Sequence, residues 1–132
     1  MRAGLSAVRP VPWRGLIDAD NPDFDTFLTD ADLESAPFPA RHLIDAASYH
    51  YTIDGELAMH MIAQLGCPFN CGFCGGRSSP MLRRVRSRSI ESVLAEMRHL
   101  HEVYGVKALM LYDDELNVNK DVVQLMDGIY GL

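Results

Sequence analysis

The sequence predicts an α/β fold: the first two βα units of a parallel barrel, preceded by an irregular N-terminal extension. Three observations predict it. Residues 56–63 form a nearly continuous apolar run of strand length, the pattern of a strand buried on both faces as in a parallel sheet. Apolar side chains at Ile90, Val93, Leu94, Met97, Leu100 and Tyr104 recur at three- and four-residue steps, the period of a helix with one buried face. Residues 106–112 return to a short apolar run. Strand, helix and strand then follow in the order of a right-handed parallel βαβ unit.

Size limits how much of a barrel can be present. The 132 residues, 48% hydrophobic and 23% charged, suit one modest domain. An eight-unit barrel takes roughly 250 residues, so two or three strand–helix units are the most this length can build. A sheet of two units leaves an exposed edge and an incomplete core, and the expectation is a piece of a larger enzyme. No apolar run approaches the roughly 20 residues of a membrane span, and the N-terminus lacks the apolar stretch of a secretory signal. A cytoplasmic location is expected. A net charge of -6 argues against a general nucleic-acid-binding surface.

Residues 1–52 form the expected extension. Prolines 10, 12 and 22 mix with acids and scattered apolar residues, no period persists, and the stretch is expected to be an extended connector with short turns. Pro37 and Pro39 are expected to forbid a regular helix over residues 32–41. Trp13 and Phe38 are expected as packing anchors. Residues 53–132 form the expected barrel portion, opened by a turn at Asp54 and Gly55 and by the strand at 56–63. His60 interrupts that strand and is expected as a hydrogen-bonded core residue.

The stretch that follows, residues 66–74, holds all 3 cysteines, Cys67, Cys71 and Cys74. An odd number argues against a disulfide framework. Structural zinc and electron-carrier iron–sulfur clusters each ask for four ligands, so three thiolates point to an incomplete coordination shell. Buried apolar cysteines, or a zinc site completed by a histidine such as His60, are the alternatives on spacing alone. Pro68, Gly66 and Gly72 suit a tight loop. Arg77, Arg83, Arg84, Arg86 and Arg88 come next. They suit either a solvated loop or one or two guanidinium contacts to a carboxylate; an RNA-contacting stripe would need interleaved aromatics.

Ser89 is placed to cap the helix, Glu91 complements its dipole and Gly105 is a natural stop. His99 and His101, two residues apart, do not share a face and are expected at the surface. The second strand ends in Asp113, Asp114 and Glu115, which places three acids on the rim that carries the cysteine loop. Asn119 or Asp121 opens a second helix with Val122, Val123, Met126 and Ile129 expected on one side.

The C-x3-C-x2-C spacing of Cys67, Cys71 and Cys74, with Phe73 just before the last cysteine, resembles the cluster loop of the radical S-adenosylmethionine (radical SAM) enzymes. The resemblance covers roughly residues 32–132 and implies the start of a TIM-type (βα)6 barrel. It also implies a [4Fe–4S] cluster held by the three cysteines, with S-adenosylmethionine on the open iron and reductive cleavage to a 5′-deoxyadenosyl radical. Phe73 would lie beside the adenine, and Asp113, Asp114 or Glu115 would bind the amino group. The electron would come from a flavodoxin- or ferredoxin-type donor. The connector running to Tyr51 looks like the linker that follows a cobalamin-binding domain in one subgroup; the resemblance would add cobalamin as a cofactor only through such a domain, which is expected to be absent from these residues. Methyl transfer, rearrangement or methylthiotransferase chemistry would all suit the family. Gln64 and Leu65 depart from the subgroup, where an arginine commonly precedes the glycine–cysteine pair. The rival from another class is a non-catalytic zinc or iron–sulfur module.

Overall fold

The computed structural model describes residues 29–132; the expectations for residues 1–28, Trp13 among them, lie outside these. A helix α1 (Asp30–Ser35), a strand β1 (Thr52–Ile53) and a strand β2 (Glu56–Met61) come first. A strand β3 (Gln64–Leu65), the cysteine loop, a short helix α2 (Pro80–Arg83) and a strand β4 (Arg86–Ser87) follow. A long helix α3 (Ile90–Tyr104), a strand β5 (Ala108–Leu111) and a helix α4 (Val122–Tyr130) complete the order.

The central pairing is the expected one. β2 and β5 run parallel, with Ala58 opposite Ala108 and Met61 opposite Leu111, while β1 adds an antiparallel edge to β2. Leu57, Met59 and Met61 on β2, with Leu109 and Leu111 on β5, point toward α3 and α4, where Val93, Met97, Leu100 and Leu125 are buried. α3 forms as the pattern predicts. Ser89 Oγ accepts from the Ser92 amide at 3.1 Å, and Gly105 takes the left-handed conformation at φ 67° and returns its amide to His101 and Leu100.

Several expectations are corrected. The 56–63 run stops as a strand at Met61, and residues 64–65 belong to a separate two-stranded antiparallel ladder with β4. β2 is not buried on both faces: His60 is exposed, with its ring between those of Tyr51 at 4.5 Å and Tyr112 at 4.3 Å. The prolines permit a short helix before them, since α1 ends ahead of Pro37. Its capping box has the Thr29 hydroxyl accepting from the Asp32 amide and the Asp32 carboxylate accepting from the Thr29 amide.

On α4 the buried residue is Leu125, whereas Val123 is 66% and Met126 41% exposed. Val122 and Ile129 lie on the same half-buried side as Leu125, and Gly128 lies against Leu94 of α3, where an added Cβ would come 2.8 Å from the end of the leucine side chain. His99 is half-buried rather than a surface residue, with ring contacts to Phe38 and Tyr104. No helix among the described residues is long and apolar enough to cross a membrane.

Candidate active site

The cysteine loop leaves the sheet just past the C-terminal end of β2 and returns to it through β4. Its base is clamped. Gln64 pairs with Ser87 and Leu65 with Arg86 across the β3–β4 ladder, and the Arg88 amide extends that ladder to the Ala63 carbonyl at 2.9 Å. Gly66 begins the excursion at φ 89°, a conformation that favours glycine. Its α-carbon faces the Arg84 carbonyl so closely that a Cβ would lie 2.1 Å from that oxygen. The next amide, of Cys67, donates to the Leu82 carbonyl at 2.8 Å.

Within the loop the three thiols are free of disulfides, Cys67 partly covered and Cys71 and Cys74 exposed. The Cys74 amide closes a turn on the Cys71 carbonyl at 3.1 Å. Phe73 is 95% exposed, so its aromatic face is open to a ligand.

The acidic tip at the end of β5 reaches the same place from the neighbouring strand, and each of its three carboxylates already has one oxygen engaged. Asp113 Oδ1 accepts from the amides of Ala63 and Gln64, and Asp114 Oδ2 accepts from the Gly66 amide at 2.7 Å. The acids lie beside the cysteine loop, the rim expected from the sequence, and two of them tie β5 to the root of that loop. Asp113 Oδ2 is buried without a hydrogen-bond partner. Burial raises the Asp113 carboxyl above the usual range, opposed by the amides of Gln64 and Ala63 that favour its charged form. The Glu115 side chain is half-buried, and its Oε1 accepts from Asn117 at 2.5 Å.

Two residues of this region carry no sequence motif. Gln64, fully buried, donates through Nε2 to the Glu115 carbonyl at 2.5 Å and accepts from the Ser87 hydroxyl at 3.3 Å. It joins β3, β4 and the acidic tip. Glu96 on α3 is 1% exposed and pairs with Arg41 at 2.7 Å and Arg88 at 2.5 Å. Those same guanidinium groups also donate to the carbonyls of His60 and Ile62, covering the edge of β2 beyond the reach of β1. The available signal for Glu96 was its helical phase, in register with Val93, Met97 and Leu100 on the buried face.

The arginine-rich stretch is solvated only in part: Arg77 and Arg84 are exposed, whereas the others are partly or fully buried. Arg86 is buried and donates to the Arg84 and Met81 carbonyls. Arg77 and Arg83 donate to carbonyls of the cysteine loop itself, at Gly72 and Pro68. α1 joins this region too: Asp30 accepts from the Ser87 amide, and Glu34 from the Ser89 amide and hydroxyl. The Ser89 backbone amide is the main reason the Glu34 carboxyl is held below its usual value.

The donor set fits an iron–sulfur cluster by its chemistry. Cys67, Cys71 and Cys74 are free thiols on one loop, and a cubane takes its thiolate ligands one to an iron. Among the described residues no group of three His, Cys, Asp or Glu side chains could hold a single metal ion, and the His60 ring lies between those of Tyr51 and Tyr112.

Comparison with known proteins gives the class to which this arrangement belongs. The profile of the radical SAM superfamily matches residues 61–130, from the end of β2 to the end of α4. The chain belongs to the radical SAM superfamily. Within it, the chain is 34% identical over 88 residues to an uncharacterized methyltransferase of Pyrococcus horikoshii, covering 67% of this chain and 18% of that protein. It is 26% identical over 98 residues to the cytidylyl-2-hydroxyethylphosphonate methyltransferase of Streptomyces wedmorensis, covering 68% of this chain and 18% of that protein. The chain thus spans 18% of the length of each of these two relatives. No solved structure matches it significantly.

Proposed function

We propose that Cys67, Cys71 and Cys74 hold a [4Fe–4S] cluster whose fourth iron binds S-adenosylmethionine, in the service of a methyltransferase-type radical reaction. The observation that carries this reading is the cysteine loop: three free thiols, two of them exposed, on a loop rooted between β3 and β4. When bound, the cluster supplies the electron that cleaves S-adenosylmethionine to a 5′-deoxyadenosyl radical. The chain's own residues hold and orient. Glu115, whose carboxylate makes no bond to the loop backbone, is assigned to the ammonium of the cosubstrate. Asp113 and Asp114 fix the root of the loop beside it, and Phe73 offers its exposed ring to the adenine.

Methyl transfer is preferred over rearrangement because both relatives described above are named methyltransferases. A cytoplasmic setting, a flavodoxin- or ferredoxin-type electron donor and cobalamin as a second cofactor belong to the same proposal. The link to cobalamin rests on the connector ahead of β2.

The test is anaerobic reconstitution with iron and sulfide, followed by iron counting and electron resonance of the reduced sample with and without S-adenosylmethionine. About four irons per chain, as a cubane requires, and a spectrum altered by the cosubstrate are expected. Zinc at one per chain, or a cluster indifferent to S-adenosylmethionine, refutes the reading.

A further inference from the structure

We infer that Arg77 and Arg83 are positioning residues that shape the cysteine loop and set the reduction potential of the cluster bound there. The inference rests on the cluster-binding function proposed above. Arg77 Nη1 donates to the Gly72 carbonyl at 3.0 Å. Arg83 Nη2 donates to the Pro68 carbonyl at 2.8 Å, and its Nη1 reaches the Arg77 carbonyl at 3.5 Å. The two loop carbonyls each follow directly on a proposed iron ligand, Pro68 after Cys67 and Gly72 after Cys71. Both guanidinium groups are therefore held against the backbone that carries the thiolates.

Their charge is not spent elsewhere. Among the described residues the ion pairs are those of Arg41, Arg88, Lys107 and Lys120, so neither Arg77 nor Arg83 has a carboxylate partner. Arg88, a few residues on, shares the Glu96 carboxylate with Arg41, and Arg86 is turned inward to the Arg84 and Met81 carbonyls. Arg84 and Arg86 also lack an ion-pair partner among the described residues, but Arg77 and Arg83 are the two cations held against carbonyls of the cysteine loop, in a chain whose net charge is -6. A cubane with three thiolates becomes more negative by one charge when it accepts an electron. Fixed positive charge nearby favours that reduced state.

The experiment uses the whole chain, reconstituted anaerobically, as wild type, as the double variant Arg77→Gln/Arg83→Gln, and as Arg77→Lys/Arg83→Lys. Each is titrated with dithionite, which supplies the electron and is oxidised to sulfite, with iron count and the electron resonance of the reduced cluster as readouts. At one fixed potential the glutamine pair is expected to lower the reduced-to-oxidised ratio roughly tenfold, about 59 mV for a one-electron couple. The lysine pair, which keeps the charge, is expected to recover most of that loss. Wild-type iron content with a ratio changed less than about twofold overturns the inference alone. A lysine pair as impaired as the glutamine pair also overturns it, because charge would not be the cause. If the glutamine pair loses iron, recovery of both iron and ratio in the lysine pair supports the inference, and no recovery overturns it. A wild-type chain that takes up no iron overturns the cluster reading, and this inference with it.

Discussion

Replacing Gly66 by alanine tests how the cysteine loop is rooted. Two separate costs apply. The residue sits at φ 89°, where a Cβ is strained by about 1–2 kcal/mol. The added carbon would also lie 2.1 Å from the Arg84 carbonyl oxygen and 2.8 Å from its carbon, so backbone must move by more than about 1 Å to restore ordinary contact. That movement pulls apart the loop's two root bonds, from the Gly66 amide to Asp114 and from the Cys67 amide to the Leu82 carbonyl. At about 1 kcal/mol each, the total reaches about 3–4 kcal/mol. Gly105 supplies the control: its φ is 67°, but a Cβ there would meet nothing within 4 Å, so Gly105→Ala carries the backbone cost alone, about 1 kcal/mol. Urea denaturation of both variants measures the difference. Gly66→Ala is expected to be the worse by about 2 kcal/mol or more, and to take up less iron on reconstitution. Equal losses for the two variants would falsify the account of a loop held by close backbone approach.

Further expectations concern the surroundings of the loop. Glu96→Ala leaves two guanidinium groups facing each other without their shared carboxylate, and is expected to cost about 3–5 kcal/mol by the same denaturation assay; a loss under about 1 kcal/mol would contradict the buried pairing. Ser89→Ala removes the α3 cap and one of the Glu34 contacts, with an expected loss of about 1–2 kcal/mol and a smaller helical signal in circular dichroism. For Asp113, burial raises the folded-state carboxyl above its unfolded value, so the folded chain holds that proton more tightly. The resulting stability is complete below the unfolded value and is lost as pH rises through the folded one. The urea midpoint of the wild type is therefore expected to fall relative to Asp113→Asn as pH increases across that window, and a rise would contradict the assignment. Cys71→Ser is expected to abolish most cluster uptake while leaving the urea midpoint nearly unchanged, since the Cys71 side chain is exposed; a full complement of iron in this variant would remove Cys71 from the ligand set.

The sequence by itself determined the features that depend on neighbours in the chain. The period from Ile90 to Tyr104, the serine before it and the glycine after it set the ends of α3, because helix phase and capping are local. The apolar runs on either side set the parallel pairing of β2 and β5, and the spacing of Cys67, Cys71 and Cys74 pointed to the family that the comparison then showed. Only the tertiary structure decided what the charged and polar residues do. Asp113 and Asp114 meet the amides of Ala63, Gln64 and Gly66 from about fifty residues away, and Arg41 meets Glu96 across 55. Nothing local distinguishes such an acid or arginine from one facing water. The β3–β4 clamp was illegible for a related reason, since two-residue strands carry too few side chains to show a period, and their pairing depends on a loop that must close before it forms. The close approach of Gly128 to Leu94 is likewise a contact between helices that the amphipathic pattern of α4 alone does not specify.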